Sequence, residues 1–454
     1  MNLFEEFTPH TYQDWVAQVT RELKGKTLES LTTFTADGIA IKPMYTGSVA
    51  ASNQPVKTAN GWILVEEYTV ENPKEANKKI LSALKNGANA LLLYVYDDVN
   101  LTALLQDVLM QHIHIHFVVE GDGRKVLANW QKLANTQGIN INQLHGSINI
   151  DPIEAAARQG FWKKDAAADL AEVASLAQLS PQNIRTLCVN NNIFANAGAT
   201  PAQQMGIALA HMHEYILATN TNNGFWLNMA IGSQYFEEIA KFRAMRRLWH
   251  QLQKEYDFEP MPLHLYAETG LRNKTIYDHW VNLLRSTTEA MSAALGGADE
   301  ILVRAYDSTF QNPQTLGERV ARNQQLVLAY ESYFDRVADP AAGSYFIEQL
   351  TEQLAAKGWE FFKEIENEGG LVQAIEKNWL QQKINESHRA EQAMFDSGKL
   401  NLLGSNIYPN KNEKMKAQIQ HAAISQKPIE EAPFLQIIAR RLSEAYETKR
   451  LSEE

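Results

Sequence analysis

A strand-then-helix alternation repeated eight times governs what this chain can become. Short apolar runs lie at Trp62 to Val65, Ala90 to Tyr96, Ile113 to Val119, Gln143 to Ile150, Thr186 to Asn190, Phe225 to Ile231, Leu263 to Glu268 and Ile301 to Tyr306. Apolar residues at helical spacing fill the gaps: Pro73 to Asn86, Leu101 to Met110, Arg124 to Gln137, Ile153 to Leu179 in two pieces, Ala197 to Ala218, Gln234 to Glu255, Asn273 to Ala294 and Thr315 to Asp335. Runs this short, bounded by Gly, Asn or Pro, suit parallel strands covered by crossover helices, and their number predicts a closed (β/α)8 TIM barrel in the α/β class. An open doubly wound sheet is the rival. It is weakened because no G-x-G-x-x-G follows the first strand.

Outside the alternation, Trp15, Val16, Val19 and Leu23 fall at helical spacing ahead of Gly25, an apolar face with nothing in its own segment to cover it. Helical patterns follow the barrel at Tyr345 to Glu366 and Leu371 to Phe395, then a polar stretch from Gly404 to Ala432 reads as a linker or strap, and a last helix is predicted over Phe434 to Leu451. Three units result: an N-terminal arm over 1–60, a barrel with its following helices over 61–403, and a linker with a terminal helix over 404–454.

Charge narrows the partners. The 42 Lys and Arg against 53 Asp and Glu leave −11 with no basic block, which argues against nucleic acid or an anionic membrane surface. The longest apolar stretch, Leu91 to Tyr96, is far short of the ~20 residues of a membrane span, and the start MNLFEEFTPH is acidic where a targeting peptide would be basic. The expectation is a soluble, cytoplasmic protein. The single cysteine, Cys188, excludes an internal disulfide or a multi-cysteine metal site and reads as a core residue.

Side chains alternate across a strand, so each barrel strand has a helix-facing and an axial set. Ile63, Val65, Leu91, Leu93, Ile115, Ile148, Leu187, Val189, Leu227, Met229, Leu265, Ile301 and Val303 are assigned to the helices. The polar, bulky complement, Trp62, Glu66, Tyr94, Tyr96, His114, His116, Ser147, Asn149, Asn190, Trp226, Asn228, His264, Tyr266, Glu268, Arg304 and Tyr306, is assigned to the axis, as a hydrogen-bonded polar core or a binding cavity. His112, His114 and His116 share one strand face, and His-x-His can ligate zinc, but strands five and six offer no His, so these rings are read as pore-filling. The run KFRAMRR, Lys241 to Arg247, reads as a solvated face or a subunit contact. No nucleophile elbow, Walker loop, H-E-x-x-H or kinase-like set is present.

Motifs in order along the chain resemble those of the adenosylcobalamin-dependent acyl-CoA mutases, and within them the methylmalonyl-CoA mutase small subunits. They are W-x(7)-LKG (Trp15, Leu23 to Gly25), DGI at Asp37, P-x-YT (Pro43, Tyr45, Thr46), AGAT (Ala197 to Thr200), YFEEIAKFRAMRRLW (Tyr235 to Trp249), RVARN (Arg319 to Asn323), DPAAGSYFIEQLT (Asp339 to Thr351) and LLGSNIY (Leu402 to Tyr408). The resemblance implies a (β/α)8 barrel through which catalytic members pass a pantetheine chain.

The departures from that family matter as much. Where catalytic members carry R-Q-Y-A-G on the first strand, this chain has Glu67 in place of the tyrosine; Asn192 and Ile193 replace a Tyr-His pair after the fifth strand, and Tyr266 and Glu268 replace a His and a Gln on the seventh. The resemblance therefore implies degenerate positions and no catalytic residues here. The family's cobalt-ligating D-x-H-x-x-G is also missing from the sequence. It implies that this chain holds no cofactor and no metal, with adenosylcobalamin on a partner, the methylmalonyl-CoA mutase large subunit, which would interconvert methylmalonyl-CoA and succinyl-CoA in propionate metabolism as a heterodimer. Trp15, Val19 and Leu23 become a partner-binding arm. A sister mutase of isobutyryl-CoA or ethylmalonyl-CoA type, or a degenerate barrel serving as scaffold or acyl-CoA binding protein, is the alternative. Two further expectations concern the axis: bulky residues close it to pantetheine, and Arg304 pairs with Glu66 or Glu268.

Overall fold

A computed structural model describes residues 8–47, 61–181, 183–222, 224–312, 315–420, 429 and 431–454. The sheet has nine parallel strand segments: β1 (Ile63–Thr69), β2 (Ala90–Tyr96), β3 (His114–Glu120), β4 (His145–Asn149), β5 in two pieces (Ile184–Arg185 and Leu187–Asn190), β6 (Phe225–Ile231), β7 (His264–Thr269) and β8 (Glu300–Leu302). The first piece of β5 pairs with β4 and the second with β6, so one run broken at Thr186 closes the ring, and β8 pairs with β1 to complete it. Counted this way the sheet is the predicted eight-position barrel.

Local chemistry sets the element ends. Asn72, Asp151 and Thr200 each accept a backbone N–H at the start of the helices Pro73–Lys85, Pro152–Gln159 and Pro201–Thr219, each with proline in the first turn. The expected helix from Leu101 to Met110 shrinks to Leu101–Leu104, because Asp107 turns the chain with φ of 61° and a 3-10 turn, Met110–His112, delivers it to β3. The helix expected from Asn273 begins only at Val281, since Lys274 is drawn inward to Glu289 (2.7 Å) before the helix starts. β8 ends at Leu302, leaving Tyr306 outside the axis, stacked on Trp280 at 4.6 Å.

Two sequence assignments are corrected, one in the helix Tyr235–Glu255 and one at the C-terminus. KFRAMRR is no solvated face: Lys241 bonds to Glu238 (2.6 Å) and the Ala230 carbonyl (2.8 Å), and Arg243 bonds to Glu348 (2.5 Å) and Asp339 (3.0 Å). Arg246 reaches Asp299 (2.8 Å) and Arg247 reaches Glu348 (2.8 Å). Lys241 and Arg243 are buried because every charge finds a counter-charge or carbonyl, the condition for burying a cation. The terminal helix covers only Glu444–Ser452. Ahead of it the chain runs non-helically, with backbone N–H groups of Phe434, Ile437, Arg440 and Leu442 donating to carbonyls of Gly160, Ala157, Asn196 and Arg272. Those carbonyls follow β4, β5 and β7, so the strap crosses the C-terminal rim of the barrel; its apolar residues bury against the rim rather than along one helix face. Gly160, with φ of +83°, lets the strap approach, since a Cβ there would lie 2.6 Å from the Phe434 carbonyl.

At the N-terminus, the helix Tyr12–Glu22 is closed by a Thr11/Asp14 capping box but buries no residue, and Trp15, Val19 and Leu23 stay partly exposed. The arm meets the barrel further on. Asp37 accepts from the Thr200 hydroxyl and from the Ala202 N–H (3.0 Å), docking on the helix Pro201–Thr219 at its N-terminus, and Ile39 beside it is buried. The proposed division at residue 60 falls among residues 48–60, and part of the expected linker among 421–428 and 430, all outside the described residues.

Barrel closure makes a stability prediction. Gly146 on β4 has φ of +142°, and a Cβ there would sit 1.8 Å from the Ile115 carbonyl of β3. Neither backbone can move without breaking the β3–β4 ladder. Gly146→Ala is expected to lower stability by at least about 3 kcal/mol, read as a drop in chemical-denaturation midpoint; a shift below experimental error would refute it.

Candidate functional site

Axial side chains stack in three layers. The middle one is a plug: Val65, Leu92, Cys188, Trp226, Tyr266 and Leu302 form one buried cluster, with Trp226 and Tyr266 centred 4.7 Å apart. Both rings are fully buried, and the axis is closed by packed side chains at this level. Burial puts the Tyr266 hydroxyl well above the usual phenol range, with the Glu268 charge adding to it. That hydroxyl and the Trp226 indole N–H have no hydrogen-bond partner among the described residues.

Above the plug, at the C-terminal mouth where barrel enzymes place their chemistry, lies a charged lattice. Arg304 Nε donates to Glu268 Oε1 (2.5 Å) and its NH1 to Glu67 Oε1 (2.8 Å). Asn192 and Asn228 both donate to Glu268 Oε2, at 3.0 and 3.1 Å. Burial pushes the Glu67 carboxyl up, Arg304 pulls it back and Glu268 raises it further. Of the positions singled out from sequence, Glu67, Asn192 and Glu268 therefore meet around one guanidinium. Tyr266 sits a layer below, and Ile193 turns away to pack against the outer core.

One parity assignment fails. On β1 the axial residues are Ile63, Val65 and Glu67, and Glu66 faces the helix Thr315–Tyr330, where it pairs with Arg322 and accepts from the Tyr68 hydroxyl (2.6 Å). Trp62 points the same way, its indole donating to Gln325 (3.0 Å). The run ILVEEYT holds apolar and charged residues at both parities, so contrast between faces could not choose. Arg304 accordingly pairs with Glu268 as expected and with Glu67 in place of Glu66. Tyr96, also assigned inward, is 60% exposed at the rim.

Below the plug, at the N-terminal floor, is a group the sequence reading missed. Glu300 is fully buried, with His114 Nδ1 2.6 Å and His264 Nε2 3.0 Å from its Oε1, and His116 Nε2 2.7 Å from its Oε2. Burial alone would raise this carboxyl, but His116 and His264, with hydrogen bonds from His114 and His116, hold it well below the carboxylate range. Burial depresses His116 in turn. Glu300 went unnoticed because the eighth apolar run was taken to start one residue later.

A parallel barrel plugged by aromatic rings and capped by a salt-bridged lattice defines an α/β barrel without an open axial path at its waist. Comparison with known proteins gives the family. The family model described as methylmalonyl-CoA mutase matches residues 94–448. The chain is 34% identical over 444 residues to the methylmalonyl-CoA mutase small subunit of Porphyromonas gingivalis, covering 90% of this chain and 72% of that one. It is 29% identical over 425 residues to the methylmalonyl-CoA mutase small subunit of Streptomyces virginiae, covering 85% and 68%. The 2-hydroxyisobutanoyl-CoA mutase large subunit of Aquincola tertiaricarbonis is 27% identical over 336 residues, covering 70% of this chain and 60% of that subunit. This chain belongs to the methylmalonyl-CoA mutase family.

The mouth and the plug predict opposite mutational responses. Arg304→Met strands two carboxylates. Its cost should be about 2 kcal/mol at pH 8, under the roughly 3–5 of a fully buried pair because the Arg304 side chain is 32% exposed. With the cation that lowers it gone, the folded-state pKa of Glu67, already raised by burial, rises further, so stability is regained as pH falls and lost as pH rises through it. Urea midpoints at pH 8 and pH 5 should show the deficit shrinking at pH 5; an equal deficit would contradict it. Tyr266→Phe deletes a hydroxyl without a partner and should leave the melting temperature unchanged or slightly raised; a loss of several degrees would mean that the hydroxyl is bonded.

Proposed function

We propose that this chain is the non-catalytic small subunit of a heterodimeric methylmalonyl-CoA mutase, with the isomerisation of methylmalonyl-CoA to succinyl-CoA carried out on a large subunit. The observation that carries the reading is the plugged axis: Trp226 and Tyr266 occupy the space a pantetheine chain would need, and Arg304 is tied to Glu67 and Glu268. Transition-state stabilisation needs donors aimed at the reacting group, and the guanidinium here is aimed at the protein's own carboxylates. The residues present do not suit adenosylcobalamin either. The strap from Phe434 to Leu442 lies across the barrel rim. The cofactor is assigned to the partner, and no step is routed through it here. Among the described residues no helix is long and apolar enough to cross a membrane.

The relatives' names support two kinds of subunit. Co-expression with the large-subunit reading frame should yield an equimolar complex on size exclusion that isomerises methylmalonyl-CoA, while this chain alone, given adenosylcobalamin and substrate, shows no turnover. Turnover by the chain alone, or no complex, defeats the proposal. Parallel assays with isobutyryl-CoA, ethylmalonyl-CoA and 2-hydroxyisobutyryl-CoA distinguish a sister mutase.

We assign the arm to partner binding. Its helix buries nothing at home, and Trp15, Val19 and Leu23 offer one apolar stripe with Tyr12 stacked on Trp15 at 5.7 Å. A buried tryptophan anchor is worth about 2 kcal/mol or more at an interface. Removing the residues before Leu31 should therefore weaken association by about tenfold or more in surface plasmon resonance and leave the barrel's thermal transition in place, because the Asp37 anchor remains. Unchanged affinity would count against the arm.

A further inference from the structure

We propose that His114, His264 and Glu300 form a binding site for a zinc-class divalent cation at the N-terminal floor of the barrel. The three residues open β3, β7 and β8, strands that converge across the axis, and their ligand atoms all lie within 4.8 Å of one another. Two imidazole nitrogens and one carboxylate oxygen are the donor set that borderline cations such as Zn2+ take, with a fourth position left for water. His114 supplies the route for that water, as its side chain is 22% exposed while Glu300 is not exposed at all.

The orientation of the His264 ring favours an ion over a purely hydrogen-bonded cluster. His264 Nε2 lies 3.0 Å from Glu300 Oε1 but is not aligned to hydrogen-bond with it or with any other group among the described residues. A buried ring nitrogen crowded against a buried carboxylate without bonding is costly unless something positive lies between them. His116 is placed to support the carboxylate rather than to ligate: its Nδ1 is held by Ser147 Oγ at 2.9 Å, which presents Nε2 to Glu300 Oε2. His145, stacked on His114 at 5.4 Å, fixes the plane of that ring from the next strand. Tetrahedral ligand atoms around zinc stand roughly 3.3 Å apart, so taking up the ion requires His114 to withdraw by under an ångström from its 2.6 Å contact, a movement its solvent-edge position allows. The site lies at the opposite end of the barrel from the mouth, so its role would be to pin three strands together. This inference does not depend on the subunit reading.

The test uses the full, tag-free chain, dialysed against chelator and titrated with Zn2+ in competition with a chromophoric chelator. The expected result is one Zn2+ per chain, a raised melting temperature, and a visible absorption band of tetrahedral type when Co2+ is substituted. His114→Gln and His264→Ala should each lower Zn2+ affinity by tenfold or more, while His112→Gln, at an exposed neighbouring position, leaves it unchanged. If His264→Ala does not fold, as judged by circular dichroism, His114→Gln at the solvent edge decides alone. Binding below one equivalent, an affinity unaltered in His114→Gln, or an equal fall in His112→Gln would each overturn the site.

Discussion

An eight-stranded barrel has an interior just wide enough for side chains, and that space must be filled by whatever the axial positions carry. In this chain many of them carry polar or charged groups, so the fold depends on neutralising charge inside a closed sheet. Arg304 between Glu67 and Glu268 does this at one end, and Glu300 among His114, His116 and His264 at the other. Between them lies the apolar plug of Trp226, Tyr266, Leu92 and Leu302. At the mouth the charges link the adjacent strands β7, β8 and β1, whereas at the floor Glu300 on β8 reaches across the axis to His114 and His116 on β3. The floor cluster therefore works as a cross-strut as well as a charge sink.

The motifs through which the sequence resembles its family turn out to be largely structural. YFEEIAKFRAMRRLW and DPAAGSYFIEQLT meet where Arg243 bonds to Asp339 and Glu348. The aspartate of DGI docks the arm on the helix that AGAT introduces, and the RVARN arginine pairs with Glu66 behind β1. These contacts hold helices to the barrel and arm to helix, whatever happens at the mouth. A chain can keep all of them whatever stands at the mouth, so membership of the family places no constraint on Glu67, Asn192 and Glu268.

How much was legible follows from the same physics. Strand number, order and most parities could be read because a strand alternates with period two, and β2 to β7 carry different chemistry on their two faces. β1 defeated that reading: Glu66 and Glu67 are adjacent and both paired with partners far away in sequence, Arg322 and Arg304, which no local pattern reveals. The buried Arg243 of KFRAMRR was misread for the same reason, since its counter-ions lie some hundred residues on. The terminal strap was read as helix because Phe434, Ile437, Ile438 and Leu442 have helical spacing, although their backbone bonds go to the barrel rim. Glu300 was lost to a one-residue error at a strand start, the least certain part of any such reading.

Why this barrel should keep so polar an interior has a physical answer in the coupling of its charges. Replacing a whole buried ion cluster by apolar residues of similar volume is often neutral or stabilising, whereas removing one member leaves an uncompensated charge in a poor solvent. Arg304 serves two carboxylates, and Glu268 is held by Arg304, Asn192 and Asn228 together. No single substitution there leads to an apolar mouth without first stranding a partner; Glu67, Glu268 and Arg304 would have to change together. The same holds at the floor, where Glu300 is shared by three rings. The cost of partial removal is enough to hold the polar layers as local minima in sequence, and a polar barrel axis by itself is weak support for catalysis.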